Sequence, residues 1–131
     1  MNCRRYARYA DDMVFFAPDK ETLHILLARI KEYLNTLKLT LKGNEQIFPV
    51  SDNRYDKHGR GVDFCGVVFY HSQTCMRKLI KQNFARKAKQ MSNCSDGKQY
   101  KRALSSWYGW SKMCKSKHLV KKIVNPNFYK I

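Results

Sequence analysis

Two short runs, 4–10 and 13–17, lie near the start of the chain, the first a mixture of arginine, tyrosine and alanine and the second apolar, and two adjacent carboxylates, Asp11 and Asp12, separate them. The runs are too short for helices and rich in strand-forming residues, so they predict a hairpin with the acidic pair at its turn. Such a pair is either a solvated turn or a site for a hard divalent cation such as Mg²⁺, which prefers oxygen ligands. Because adjacent carboxylates repel each other, the pattern also predicts a cation nearby.

A helical pattern follows the hairpin. Asp19 is a suitable N-cap for a helix from about Lys20 to Lys38, because apolar residues then recur at three- and four-residue spacing. This predicted apolar face, which has to be buried against another surface, consists of Leu23, Leu26, Leu27, Ile30, Leu34 and Leu37.

Strand-like patterns return beyond this helix. Residues 39–41 and 46–48 flank a turn signal at 42–44 and predict two short strands. A polar loop from Ser51 to Gly61 follows. The apolar, β-branched run from Val62 to Tyr70 has Gly66 at its centre, which predicts a tight hairpin or a bulged ribbon.

The periodicity becomes helical after Tyr70. One helix is predicted with a face formed by Met76, Leu79, Ile80, Phe84, Ala88 and Met91, and residues 93–97 break it. A second helix is predicted from about Lys98 to Lys115, with Leu104, Trp107 and Cys114 on its apolar side. A short basic helix is predicted before Asn125 and Pro126.

Composition limits the class of protein. A chain of 131 residues with 44% hydrophobic residues forms one domain or two small ones. It contains no long apolar run and no apolar signal region, so we expect a cytoplasmic protein without a membrane partner. Its five scattered cysteines favour reduced thiols over a disulfide framework. Cys114 and His118 have a ligand-like spacing, but no second Cys/His pair completes a zinc site.

Charge divides the chain into two regions. Residues 1–71 hold 11 Lys and Arg against 9 Asp and Glu, whereas residues 72–131 hold 15 against 1. The second region therefore favours a polyanion such as nucleic acid, although a solvated basic helix or a membrane-surface helix has a similar composition. Aromatic residues among these cations offer stacking faces for bases as well as core contacts: they are Tyr100, Trp107, Tyr108 and Trp110.

A series of motifs along the chain resembles part of the bacterial reverse transcriptases of the group II intron, retron and diversity-generating retroelement branch. The part that it resembles is the C-terminal half of the palm and the thumb that follows it. The Tyr-Ala-Asp-Asp hairpin comes first, then the amphipathic helix, the Leu-x-Leu-x-Leu segment and RGVDFCGVVFY. The resemblance covers about residues 4–115. It implies an α+β fold, with part of a ferredoxin-like palm over 1–71 and a basic helical thumb-like region over 72–131.

The resemblance also implies RNA-directed DNA synthesis with two Mg²⁺ ions, or Mn²⁺ in their place, on an RNA template and a DNA primer. Asp11 would be a catalytic metal ligand and Asp12 a second one, with Tyr9 and Ala10 beside the primer terminus and nucleotide. The implied primer grip is formed by Gly61, Val62, Asp63, Phe64, Cys65 and Gly66. The implied nucleic-acid contacts in the thumb-like region are Arg77, Lys78, Lys81, Arg86, Lys87, Lys101, Arg102 and Lys112.

Parts of the family pattern are absent. The family uses another Asp on an earlier strand and basic fingers residues, and neither is present in this chain. Lys42 is a candidate for the basic residue that the family places after the amphipathic helix, while Asp52, Asp56 and Asp63 are interpreted as structural or solvated. The chain is therefore expected to be a fragment of a reverse transcriptase that is inactive alone. Alternatives are an inactive nucleic-acid-binding remnant and the C-terminal half of a split polymerase, and the isolated chain is expected to self-associate or to bind a missing N-terminal half.

Overall fold

A computed structural model describes residues 5–114 and 116–124. The described chain is a mixed α+β protein with four helices and two small antiparallel sheets. Of the residues named in these predictions, Arg4, Lys115, Asn125 and Pro126 lie outside the described ranges. None of the helices in the described ranges combines the length and apolar character needed to cross a membrane.

The first sheet is the predicted hairpin. Strands β1 (Arg5–Tyr9) and β2 (Asp12–Phe16) pair with Tyr9 opposite Asp12. The turn therefore contains only Ala10 and Asp11, and Asp12 is the first residue of β2 rather than a turn residue. Ala10 has a φ of +52°, a left-handed conformation that closes a two-residue turn.

Helix α1 (Lys20–Thr36) begins at the predicted cap, where the Asp19 carboxylate accepts the Thr22 backbone N–H at 2.7 Å. It ends two residues before the predicted Lys38, because Lys38 adopts a left-handed φ of +57°. The Leu39 N–H then donates to the Leu34 carbonyl at 2.9 Å, which satisfies an end carbonyl of the helix. No residue of α1 is buried.

The strands predicted at 39–41 and 46–48 are wrong, since this segment is irregular. Within the described ranges no strand lies beside it, and a short apolar run without a partner cannot form a ladder. Gly43 does adopt the left-handed conformation expected of the turn signal. The polar loop that follows is anchored where the Ser51 N–H donates to the Arg60 carbonyl at 3.1 Å.

The second sheet has the order β3 (Val62–Phe64), β4 (Val67–Phe69) and β5 (Thr74–Met76), all antiparallel. The first two strands form the predicted tight hairpin, whose turn residues Cys65 and Gly66 both have positive φ. Strand β5 was not predicted, and Met76 belongs to it rather than to a helix. Three residues are too few to show a period, so only their pairing with β4 reveals the strand.

Helices α2 (Lys78–Gln90), α3 (Gly97–Met113) and α4 (Lys117–Ile123) occupy the predicted positions, and α3 begins and ends one or two residues early. The three helices pack on one another, and α3 also contacts β5. Their core consists of Phe84, Ala88, Tyr100, Leu104, Val120 and Val124. A second cluster of Val67, Met76 and Cys114 joins the three-stranded sheet to this core.

Candidate functional site

The acidic turn is exposed and has a cationic neighbour. The Lys42 ammonium lies 3.3 Å from the Asp11 carboxylate, and both side chains are 78% exposed. The pKa of Asp11 is lowered first by its own backbone amide, then by the hydrogen bond and charge of Lys42, and also by the charge of Arg8. The prediction that a cation lies near the acidic pair is confirmed at Asp11.

Asp12 interacts with a different cation. Its negative charge helps to raise the pKa of Arg77, although the main cause is the hydrogen bond from Arg77 to Asp63. The Asp11 carboxylate therefore has a cation in contact, in the irregular segment after α1, whereas Asp12 acts on Arg77, just before α2, through its charge.

Backbone strain is present at the same turn. Because Ala10 has a side chain, its left-handed φ costs about 1–2 kcal/mol, and such strain tends to occur at functional sites. The Arg8 guanidinium stabilises this conformation by donating to the Ala10 carbonyl at 2.7 Å. Tyr9, which is paired with Asp12 beside the turn, is 68% exposed to solvent.

The acidic pair does not form a complete metal site by itself. Among the residues that the structure describes, no three His, Cys, Asp or Glu side chains lie close enough together to hold a metal ion. The turn supplies two carboxylates to a hard cation, whereas such ions take six or more oxygen ligands, several of which are often water. Any reaction that depends on protein-held metals needs further ligands from elsewhere.

The β3–β4 hairpin is held against the helices by its glycine turn. A Cβ atom on Gly66 would lie 2.7 Å from both Ile80 and Trp110, so only glycine allows this close contact. Its carbonyl also accepts the Arg77 N–H at 3.1 Å. A Cβ atom on Gly61, at the base of the hairpin, would lie 2.4 Å from Val68. A side chain at either position would therefore force its neighbours to shift.

Arg77 has a structural partner. Its Nη2 and Nε atoms lie 2.6 and 2.8 Å from the Asp63 Oδ1 atom, which ties β3 to the start of α2. This pair gives Asp63 the expected structural role and engages a guanidinium that the sequence assigned to nucleic acid. Asp56 is also structural, since it accepts backbone N–H groups from Asp52 and His58.

A cluster of lysines surrounds a cleft of about 530 Å³ between α2 and α4. Lys81, Lys89 and Lys122 line it together with the apolar side chains of Ala85, Leu119 and Ile123. Lys89 and Lys122 were not among the predicted binding residues. The eight-residue spacing of Lys81 and Lys89 could have indicated their proximity about two turns apart, but Lys122 joins them only through tertiary packing.

The other predicted cations mostly lie at the surface of the helices. Lys87 is half-buried, and the exposed members are Lys78, Arg86, Lys101, Arg102 and Lys112. The helical region therefore presents positive charge at many points outside its core.

The predicted stacking residues contribute mainly to the core. Tyr100 is only 1% exposed, so of the two roles predicted for these aromatic residues it has the core role. Trp107 is partly buried and stacks on Phe84 with ring centroids 6.2 Å apart. Tyr108 and Trp110 are also partly buried against the two core clusters. A mixed aromatic and basic helix has to fill its interior first, and here the aromatic residues do so.

Comparisons of the chain with protein-family models, with curated proteins and with solved structures found no match.

Proposed function

We propose that this chain is the C-terminal part of a reverse transcriptase palm with a thumb-like helical region, and that it binds nucleic acid. The main support is the order of its structural elements along the chain. An acidic two-residue turn is followed by an amphipathic helix and by a second hairpin whose glycine turn packs directly on cationic helices. The partial ferredoxin-like palm belongs to this proposal.

Catalysis by the isolated chain is not part of the proposal. Two-metal nucleotidyl transfer depends on a full set of ligands, and removing one member of such a unit removes most of the rate. Among the described residues, Asp11 and Asp12 have no third His, Cys, Asp or Glu side chain close enough to complete a metal site with them. Lys42, whose ammonium lies 3.3 Å from Asp11, is our candidate for the basic side chain near the departing pyrophosphate in an intact enzyme.

Primer extension tests this part of the proposal. The purified chain, mixed with labelled RNA template, DNA primer, Mg²⁺ or Mn²⁺ and all four nucleotides, should give no extended product. An Asp11→Asn variant is the matched control for contaminating polymerase. Template-dependent products from the wild-type chain that disappear in Asp11→Asn would show that the site is complete after all.

Binding to nucleic acid should occur mainly through the helical region and with little sequence preference. Each phosphate contact releases counterions, so a site with several contacts weakens by orders of magnitude between about 50 and 200 mM salt. Fluorescence anisotropy with an RNA–DNA duplex measures this dependence. An affinity that stays constant over that range would overturn the proposed binding mode.

Two matched triple substitutions locate the binding surface. Changing the three lysines of the α2–α4 cleft to alanine should weaken binding strongly, because those charges lie together. The same number of changes in the first region should have a smaller effect, because acidic side chains balance its cations. The two sets are Lys81, Lys89 and Lys122 in the cleft, and Lys20, Lys31 and Lys38 in the control.

A split polymerase is the second candidate, and the exposure of the first region favours it. No residue between 5 and 50 is buried, although this stretch includes a hairpin and a 17-residue amphipathic helix. A separate polypeptide carrying the rest of the palm would cover these surfaces. Co-expression with the N-terminal half of a related reverse transcriptase should then give a stable complex, whereas an inactive nucleic-acid-binding remnant would remain alone.

A further inference from the structure

Among the described residues, no strand lies beside the outer edge of β2. In the described part of the chain, the sheet formed by β1 and β2 has only these two strands. The pair that closes the two-residue turn, Tyr9 and Asp12, is hydrogen-bonded, and non-hydrogen-bonded and hydrogen-bonded pairs then alternate along the antiparallel ladder. The N–H and C=O groups of Met13 and Phe15 therefore point away from β1.

The composition of the two edges differs. Strand β1 carries cations at two of its five positions, Arg5 and Arg8, whereas β2 is apolar at every position after Asp12. Charged side chains on an edge oppose strand addition, and an apolar edge permits it. Because an isolated two-stranded hairpin is marginally stable in water, pairing along β2 would also stabilise the hairpin.

We propose that two copies of this chain pair through their β2 strands, antiparallel and centred on Val14, to form a four-stranded sheet. Met13 of each copy lies opposite Phe15 of the partner subunit, so each of these pairs exchanges two backbone hydrogen bonds. The contact is isologous and closes on itself, which gives a dimer rather than a fibre. This inference is independent of the reverse transcriptase assignment.

Charge complementarity favours a second copy as the occupant. Opposite residues in a ladder share a face of the sheet, so this register places Asp12 beside Phe16 of the partner subunit. Within each hairpin Phe16 is paired with Arg5, so the partner's Arg5 lies one strand beyond the partner's Phe16, on the same face of the sheet as Asp12. Adjacent strands are about 4.8 Å apart, so an arginine two strands away can reach the carboxylate.

The small net charge of residues 5–50 also favours a second copy of the chain as the partner. Residues 5–50 hold seven Lys and Arg and six Asp and Glu, so two copies can approach through this region with little repulsion. An approach through the helices would instead bring two strongly cationic surfaces together. The dimer thus adds the partner's Arg5 to the candidate acidic site while both helical regions stay free to bind polyanions.

Sedimentation equilibrium from 1 to 100 μM in 300 mM salt tests the proposal, and we expect a reversible monomer–dimer equilibrium. Met13→Pro removes an outward N–H without touching a bond to β1, and it should weaken dimerisation at least tenfold. Arg8→Pro is the matched control, because it removes the opposite outward N–H of β1 and should leave the dimer intact. Circular dichroism of both variants checks that the helices remain folded.

A cross-link tests the register even if a proline variant misfolds. In the proposed pairing Val14 faces Val14 of the partner subunit, so a Val14→Cys variant should form a 14–14 disulfide on mild oxidation, identified by mass spectrometry. Met13→Cys, which faces Phe15 of the partner subunit, should not form a 13–13 disulfide. Four results would each overturn the proposal. The first two are a monomer at 100 μM and the formation of larger aggregates only. The others are a dimer that is lost in Arg8→Pro but kept in Met13→Pro, and the absence of a 14–14 cross-link.

Discussion

The two regions of this chain differ in how their apolar residues are used. Between residues 5 and 50, α1 and the first hairpin carry many apolar side chains, yet none is buried. Every buried residue of the described chain lies between residues 51 and 124, and most of them belong to the short strands and strongly basic helices, including Phe84 and Leu104 at 0% exposure.

This difference shows that hydrophobic patterning and core formation are separate properties. Helix α1 has a regular apolar face that the described residues leave only half-buried, whereas α2 and α3 have fewer apolar positions but pack on each other, and α3 packs on β5. A ranking by average hydrophobicity would wrongly assign the core to residues 5–50. The stability of the described chain therefore resides in the basic region, and each of the following predictions tests that assignment.

The largest expected effect comes from leucine truncation. Leu104→Ala removes a fully buried side chain from the helical core and should lower the free energy of unfolding by about 2–5 kcal/mol. Leu26→Ala removes the same atoms from α1, where the side chain is only partly buried, and should have a clearly smaller effect. Urea unfolding followed by circular dichroism measures both variants, and equal losses would contradict the comparison.

A pair of glycines gives the second test. Gly66 and Gly43 both have positive φ, but a Cβ atom on Gly66 meets Ile80 and Trp110, whereas one on Gly43 has no atom within 4 Å. Both Gly→Ala changes cost about 1–2 kcal/mol in backbone strain, and overpacking adds about 1–3 kcal/mol at Gly66 only. Thermal unfolding of the two variants should therefore separate them, and a more harmful Gly43→Ala would contradict the packing described for the hairpin.

Ion pairs provide a smaller contrast. The Arg77 and Asp63 side chains are 43% and 46% exposed, so Arg77→Ala should cost only about 0.2–1 kcal/mol of stability. The pair between Lys31 and Glu45 lies in the first region and joins no buried residues, so Lys31→Ala should leave unfolding of the helical core unchanged. A double-mutant cycle with Asp63→Asn isolates the Arg77 contribution, and zero coupling would show that the two side chains do not interact in solution.

The smallest expected effect is electrostatic. The pKa of Asp11 is lowered, so the interaction of its carboxylate with Lys42 is present at neutral pH and is lost as the pH falls through the lowered value. Lys42→Ala should raise the pKa of Asp11 towards that of an ordinary aspartate, whereas Lys38→Ala should not. Carboxyl chemical shifts in an NMR titration report this directly, and identical titration curves for both variants would exclude the contact.

Local signals identified those parts of the fold that depend on neighbouring residues in the sequence. Asp19 was recognised as a helix cap, and Gly66 marked a tight turn, because each effect operates within a few residues. Strand β5 and the core position of Tyr100 depend on partners far along the chain, so no local pattern contained them. The mistaken strands at 39–41 and 46–48 have the same origin, since a strand exists only with a neighbour.

The candidate site was predictable to a similar degree. The acidic pair and its need for a cation followed from charge repulsion, but Lys42 was named only as a candidate for the basic residue after the amphipathic helix and not as the partner of Asp11. The position of Lys122 beside the cleft that Lys81 and Lys89 also line depends on helix packing. Sequence reasoning thus identified the groups at the turn, and the structure supplied their partners.

The tight turn of the second hairpin also contains a thiol that can be labelled selectively. Cys65 is exposed at that turn, whereas burial, with a contribution from Cys75, raises the pKa of the Cys114 thiol. Only the thiolate reacts rapidly with maleimides and related reagents, so Cys65 should be labelled well before Cys114. A fluorophore attached there would report on molecules that approach the hairpin while the core thiol stays unmodified.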